Sequence, residues 1–374
     1  MGDEKVKLIT GWGCGKKKIY IEGFVANNLG DDLMIKCLAK NFPDEKFIIL
    51  TRNGDTFKDC QNICTPFIVW FFHRVYKKFI SWLNKLFGKQ SSPDLWVFNK
   101  FERLLYKNNI VAIIGGSIIQ NFNFPKYKSF SFPVFVIGAN AANNLQGSAL
   151  LYYKKFFAEC SDCCVRDSYT KNLFADSGVR LAPDVVFSYP VNRVSKKKKV
   201  TFSVIDPKKA GLTQYREVYY NKMAEIAKYF YLGGYKIELV SFCQLQGDDL
   251  AVLQIKKLIE QCDIECTTIF YDGTNGEDVI YAIAESSYVI ATRYHSFILA
   301  ILSDTPFFPV IYNEKMYNYL KDIDYSGEVI KLNEIENLNS DVYTKNLSIK
   351  TNKDMLVKNA KMQFNGLENY LKNE

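Results

Sequence analysis

Apolar runs and amphipathic stretches alternate along nearly the whole chain. Lys18 to Glu22 and Lys46 to Thr51 read as strands, with a helix over Asp31 to Lys40 between them. Ile110 to Ile114 is a strand running into Gly115-Gly116-Ser117, and Phe132 to Ile137 runs into Gly138-Ala139-Asn140. A helix at about 148–160, a strand from Cys163 to Arg166 and a helix from Thr170 to Ser177 closed by Gly178 complete a first unit. Its strands are continuous in Val, Ile and Phe, the pattern of parallel strands covered on both faces. Pro190 to Ser195 and the basic run Lys196 to Lys199 predict a linker. The alternation then restarts, with strands at Val200 to Ile205, Lys236 to Ser241, Thr267 to Phe270, Tyr288 to Ala291 and Phe307 to Ile311. Helices fall at Tyr215 to Leu232, about 248–261 and Glu277 to Glu285, and residues from about 340 to 372 read as helix. The predicted fold class is α/β, two Rossmann-like doubly wound domains facing a cleft. Residues 1–190 form the first, 198–340 the second, and 341–374 a helical tail that packs back on the first. In such sheets ligands bind beyond the carboxyl ends of the strands.

The polar motifs lie at those ends. Tyr288 to Ala291 leads directly into Arg293-Tyr294-His295-Ser296 and an apolar helix. A helix start with free N–H groups favours an anion, arginine adds a bidentate fork, and histidine can deliver a proton near neutral pH. On the first unit, Asn28, Gly30 and Asp31 sit between a strand and its helix. Gly30 permits a tight turn there, and Asp31 is either a helix cap or a cleft carboxylate. Gly116, Ser117 and Asn140 follow strands where small residues let a ligand approach the backbone, and Ala182-Pro183-Asp184 closes the unit at the seam. Arg166-Asp167 reads as an internal ion pair.

The chain has 374 residues, 48% of them hydrophobic, which is enough for two cores. Its charged N-terminus (Met1 to Lys7) lacks a secretory core, and no apolar run approaches the length of a membrane span. The cysteines are expected reduced in a cytoplasm; Cys160-x-x-Cys163 and Cys262-x-x-x-Cys266 lack the context of a zinc site, so no metal is expected. A net charge of +8 suits anionic partners, but no nucleic-acid recognition module is present. Gly11-Trp12-Gly13-Cys14-Gly15-Lys16-Lys17 lacks the spacing of a phosphate loop.

Residues 66–89 carry a second pattern. Ile68, Phe72, Val75, Phe79, Trp82 and Leu86 recur at helical spacing, with Arg74, Lys77, Lys78, Lys85 and Lys89 and no acidic residue. This is either an interfacial helix on an anionic membrane surface or a core helix with a basic solvated face. The first fits a sugar acceptor on polyprenyl diphosphate and a peripheral protein on the inner face of the cell membrane.

Asn28-x-Gly30-Asp31-Asp32, Ile114-Gly115-Gly116-Ser117, Gly138-Ala139-Asn140, Val165-Arg166-Asp167-x-x-Thr170, Ala182-Pro183-Asp184-x-x-Phe187 and Arg293-Tyr294-His295 together resemble the polysaccharide pyruvyl transferase family. Ser296 stands where that family has glycine. The resemblance implies a GT-B-like enzyme that moves pyruvate from phosphoenolpyruvate, its co-substrate, onto a sugar as a ketal, without a cofactor. It implies that Arg293, Tyr294 and Ser296 hold the donor, with Ser203 and Lys208 adding contacts. His295 either contacts phosphate or acts as the acid. Asn28, Gly30, Gly116, Ser117 and Asn140 shape the acceptor side, and Asp31, then Asp184, are the candidate bases. The alternatives are a GT-B nucleotide-sugar glycosyltransferase and a non-catalytic glycan-binding homologue.

Overall fold

A computed structural model describes residues 17–86, 95–349 and 351–374. The glycine-rich stretch through Lys16, the terminal Met1 to Lys7 and Lys89 lie outside the described residues.

Two parallel sheets organise the chain. The first contains β1 (Ile19–Gly23), β2 (Phe47–Ile49), β3 (Ile63–Cys64), β4 (Ile110–Ile114), β5 (Val134–Ala139), β6 (Asp162–Val165) and β7 (Arg180–Leu181), in the order β3-β2-β1-β4-β5-β6-β7. The second contains β8 (Lys197–Ser203), β9 (Lys236–Ser241), β10 (Cys266–Phe270), β11 (Ser286–Ala291), β12 (Phe307–Ile311) and β13 (Ile330–Lys331), in the order β10-β9-β8-β11-β12-β13. In each, the chain winds outward from a central strand, returns, and winds the other way. The crevice left by that reversal lies beside β1 and β4 in one sheet and β8 and β11 in the other, all at their carboxyl ends.

Helices cover the sheets: α1 (Leu29–Asn41), α2 (Phe67–Leu86), α3 (Lys100–Tyr106), α4 (Gly147–Glu159), α5 (Ser168–Leu173), α6 (Arg216–Leu232), α7 (Asp248–Glu260), α8 (Gly276–Ala284), α9 (Tyr294–Leu302), α10 (Glu314–Asp322), α11 (Lys353–Ala360) and α12 (Asn365–Lys372). One apolar cluster runs across the seam, joining Leu29, Leu33 and Met34 of α1 to Tyr294, Phe297 and Ile298 of α9 and to Val279 and Ile283 of α8. Direct bonds reinforce it. The Leu29 N–H donates to the Phe242 carbonyl (3.0 Å), the Tyr271 hydroxyl to Asp32 (2.8 Å) and the Asp184 N–H to the Tyr319 hydroxyl (3.0 Å).

Two segments differ from expectation. Of the run Lys196 to Lys199, the last three residues open β8 rather than forming linker, and Lys196 precedes the strand. Lys199 is buried between Glu238 (2.5 Å) and Glu285 (2.7 Å), while Lys196 donates to the Ala284 and Ser303 carbonyls. Those partners arrive from distant strands and helix ends, so local composition gives no sign of them. The last segment is a series of short helical turns rather than one helix. It lies on the first sheet: Tyr370 packs edge-on against Phe135, and buried Gln363 donates to the carbonyls of Val165, Ala182 and Pro183 and accepts from the Gly138 N–H.

Helix α2 attaches by one side only. His73 meets Glu102 of α3 at 2.8 Å, Lys77 meets the same carboxylate at 3.1 Å, and Tyr76 lies against Phe101. Phe67, Ile68, Phe71, Phe72, Val75, Phe79 and Trp82 are each 48–61% exposed, so the apolar stripe is not a core face. The side chains of Lys85 and Leu86 are outside the described residues. No described helix is long and apolar enough to cross a membrane.

Replacing Gln363 with alanine strands the buried Gly138 N–H and removes the donor to the Ala182 and Pro183 carbonyls, while the Val165 carbonyl still accepts from the Ala182 N–H. It should lower stability by about 2 kcal/mol, read as an earlier midpoint in urea unfolding.

Candidate active site

Two helix N-termini meet at the seam. Asn28 caps α1 by accepting from the Gly30 N–H (3.3 Å), and its amide donates to Asp31 (2.7 Å). Opposite, α9 opens at Tyr294 with Arg293 at its cap position, where no side chain caps it. The His295 ring lies directly on Gly30: a Cβ there would come within 1.8 Å of Nδ1. Glycine is required at position 30 to admit the imidazole across the seam, not to make a turn, because Gly30 is already inside α1.

Between these termini is a cavity of about 240 Å³, lined by Asn28, Asp31, Gly116, Ser117, Arg166, Arg293, Tyr294, His295 and Lys315, with Phe24, Phe242 and Tyr312 among the apolar walls. Arg166 is buried and bonds Asp184 through Nη1 (2.6 Å) and Asn140 Oδ1 through Nη2 (2.6 Å), with its guanidinium 4.2 Å above the Tyr294 ring. A Cβ on Gly116 would meet that guanidinium at 2.6 Å, so glycine is needed there as well. The expected Arg166–Asp167 pair is not formed: Asp167 instead caps α5 by accepting from the Thr170 N–H. Asp184 is fully buried in its pair with Arg166 and does not line the cavity, and Asn140 serves the same guanidinium.

Arg293 differs from expectation too. Its guanidinium is gripped in two-point fashion by Asp248 and also bonds Gln246, and Asp248 in turn accepts from the Phe242 and Cys243 N–H groups. Ser203 and Ser296 are fully buried beneath the turn. Their hydroxyls bond each other (2.6 Å), Ser203 accepts from the Thr292 and Arg293 N–H groups, and Ser296 donates to the Arg293 carbonyl. They brace the Arg293–His295 turn instead of lining the cavity, so the serine found in place of glycine has a packing use. Lys208 is exposed on the Pro207–Ala210 turn, away from the cavity.

Lys315, near the start of α10, was not anticipated. Its Nζ donates to the Ser117 hydroxyl and lies 5.9 Å from the Tyr294 ring. Burial, then the neighbouring Arg166, lowers its pKa to about 7, against the pull of Asp31. The readable signal was Asn313, the α10 cap just past the carboxyl end of β12: the rule applied to the other strand ends points to this one as well. Burial, opposed by Asp184 but aided by Arg166, Lys315 and Arg293, pushes His295 down to about 3. The imidazole is therefore neutral near pH 7, contrary to the expectation of a ready proton donor. Its Nε2 lies 3.8 Å from Asp184, and among the described residues neither that atom nor the Tyr294 hydroxyl has a hydrogen-bond partner. Burial raises the pKa of Asp31, while Arg166, Lys315 and the Gly116 N–H pull it back. Such a set of buried cations and unpartnered polar atoms is suited to a small anion.

A larger groove of about 880 Å³ opens from the cavity, sharing Phe24, Ser117, Ile118 and Gln120 with it, and runs between the carboxyl ends of β1 and β2 and helix α2. Among the described residues no group of His, Cys, Asp or Glu side chains is placed to hold a metal ion.

Two facing doubly wound domains with a site at their shared seam define the GT-B-like class. The solved structures of Staphylococcus aureus MnaA with UDP (TM-score 0.55, 8% identity, 96% of this chain and 97% of that chain) and Anabaena Alr3699/HepE with UDP and glucose (0.51, 11%, 96% and 100%) are similar in fold, as is a glycosyltransferase from Rickettsia africae (0.50, 10%, 96% and 94%). No curated protein matches the chain. The model of the family described as polysaccharide pyruvyl transferase matches residues 28–314, most of the chain and nearly all of the site, and the chain belongs to that family.

Lys315 is charged below about pH 7 and neutral above it. Sulfate stays a dianion throughout, so its binding should weaken as pH rises from about 6 to about 8 and Lys315 loses its charge. Calorimetric titrations should show that slope in the wild type and a flatter one in Lys315→Met.

Proposed function

We propose that this protein transfers pyruvate from phosphoenolpyruvate onto a sugar as a ketal. The observation that carries the reading is the cavity of about 240 Å³ at two facing helix N-termini, with Arg166, Arg293 and Lys315 in its wall. Drug-sized ligands occupy roughly 300–1,000 Å³, so this space suits a compact anion better than a whole nucleotide sugar. Phosphoenolpyruvate carries a phosphate and a carboxylate on three carbons. The N–H groups of α1 and α9 and the three cations offer each a partner.

The chemistry follows from these groups. Protonation of the donor's methylene carbon makes it a methyl group and leaves an oxocarbenium-like centre at the adjacent carbon. One sugar hydroxyl attacks that centre and loses its proton. The second hydroxyl then displaces phosphate, which leaves with that hydroxyl's proton. Lys315, titrating close to neutrality, is matched to the first proton transfer, and Asp31 across the cavity is the base for the attacking hydroxyl. A neutral His295 serves as a hydrogen-bond partner for a phosphate oxygen, and the arriving dianion raises its pKa. Asp184 and Asp248 keep the two guanidinium groups in place.

The acceptor sugar occupies the larger groove, on a polyprenyl diphosphate whose lipid stays in the membrane. The outward apolar stripe of α2 with its basic neighbours supports a peripheral position on an anionic leaflet.

Incubation with phosphoenolpyruvate and a panel of nitrophenyl and lipid-linked sugars, followed by mass measurement, should reveal a pyruvyl ketal. His295→Ala and Lys315→Ala should each slow turnover about a hundredfold or more while unfolding as the wild type does. Binding of uridine diphosphate with no response to phosphoenolpyruvate would sink this reading in favour of a glycosyltransferase. In a flotation assay the protein should rise with phosphatidylglycerol vesicles, and Phe72→Ser combined with Phe79→Ser should leave it at the bottom.

A further inference from the structure

The large groove has a charge pattern of its own. One wall is helix α2, where Arg74, Lys77 and Lys78 stand at spacings of three and four and so share a face, turned toward the groove. The facing wall is the loop after β2, which contributes Arg52. Lys77 is tied to Glu102 at 3.1 Å, whereas Arg52, Arg74 and Lys78 have no ion-pair partner among the described residues. Arg74 lies over the Trp70 ring at 5.5 Å, which orients its fork without neutralising it. Glu22 is the one carboxylate in the groove's lining among the described residues; the Tyr106 hydroxyl donates to it, and burial raises its pKa.

Three cations without carboxylate partners, on two opposing walls, form a clamp for a group with several negative charges. One end of the groove opens into the small cavity at Ser117 and Gln120. At the other side, beyond the basic face of α2, lies its exposed apolar stripe. We propose that Arg52, Arg74 and Lys78 bind the diphosphate of the acceptor, between a sugar that reaches the small cavity and a lipid that leaves across the outer face of α2. This rests on the pyruvyl-transfer reading for the identity of the sugar's destination, but the anion site itself is independent of it.

The test separates the two. With a water-soluble short-chain prenyl diphosphate sugar as acceptor, Arg74→Ser and Lys78→Ser should each raise KM about tenfold, as loss of one charge-assisted bond implies. KM for the nitrophenyl glycoside of the same sugar, and for phosphoenolpyruvate, should not change. Equal effects on both acceptors would overturn the assignment while leaving the reaction intact. If neither acceptor is pyruvylated, the reaction is wrong and a second measurement decides the groove. In calorimetric titration of the full chain with inorganic diphosphate, Arg74→Ser with Lys78→Ser should remove a binding event that Lys315→Met leaves. Persistence of that event, or its displacement by glycerol phosphate at equal concentration, would show that the groove does not select a diphosphate. The latter result would make it a reader of ordinary anionic lipid heads.

Discussion

Two guanidinium groups are buried at the seam between the sheets, and each is there because a carboxylate is buried with it. Each pair joins distant elements of one domain, Arg166 after β6 to Asp184 in the first and Arg293 at the start of α9 to Asp248 at the start of α7 in the second, so each forms only once its own domain is folded. Removing one partner of such a pair leaves an uncompensated charge in a low-dielectric setting, which costs about 3–5 kcal/mol. The pairs leave the cavity with a local field but little net charge to repel. Lys315 supplies the remaining positive charge, and it can give that charge up near neutrality.

The same seam explains the state of His295. Its ring is pressed onto Gly30 of the opposite domain, its Nε2 stops short of Asp184, and three cations surround it. A histidine placed there cannot remain protonated without an anion to pair with. An anion entering the site favours the charged imidazole, which links anion binding to proton uptake. The apolar cluster that joins α1 to α8 and α9 keeps the two helix N-termini aimed at one point.

Helix α2 shows how one element can serve two surroundings. Its inner side is held by His73, Tyr76 and Lys77 on α3, its basic side faces the groove, and its aromatic stripe faces outward. Packing against the first domain thus leaves the apolar side chains from Phe67 to Trp82 on the outer side exposed.

The sequence by itself determined the long strands of both sheets, but not the two-residue edge strands β3, β7 and β13. Runs such as Ile110 to Ile114 and Phe307 to Ile311 are strands because only a two-sided burial accepts such continuous apolar stretches, and the glycine and Arg-x-His loops follow at the carboxyl ends of the central strands. It also determined that Asp31, Gly116, Arg293 and His295 would share a rim. Only the tertiary structure decided which of the polar side chains face the cavity. Asp184, Asn140, Ser203 and Ser296 turned inward to satisfy buried arginines and backbone N–H groups, while Arg166 and Lys315 turned toward the space. The basic run became strand from Lys197 onward for the same reason, since Glu238 and Glu285 arrive there only after folding. Burial and charge pairing are properties of three-dimensional neighbours, and those neighbours stand far apart along the chain.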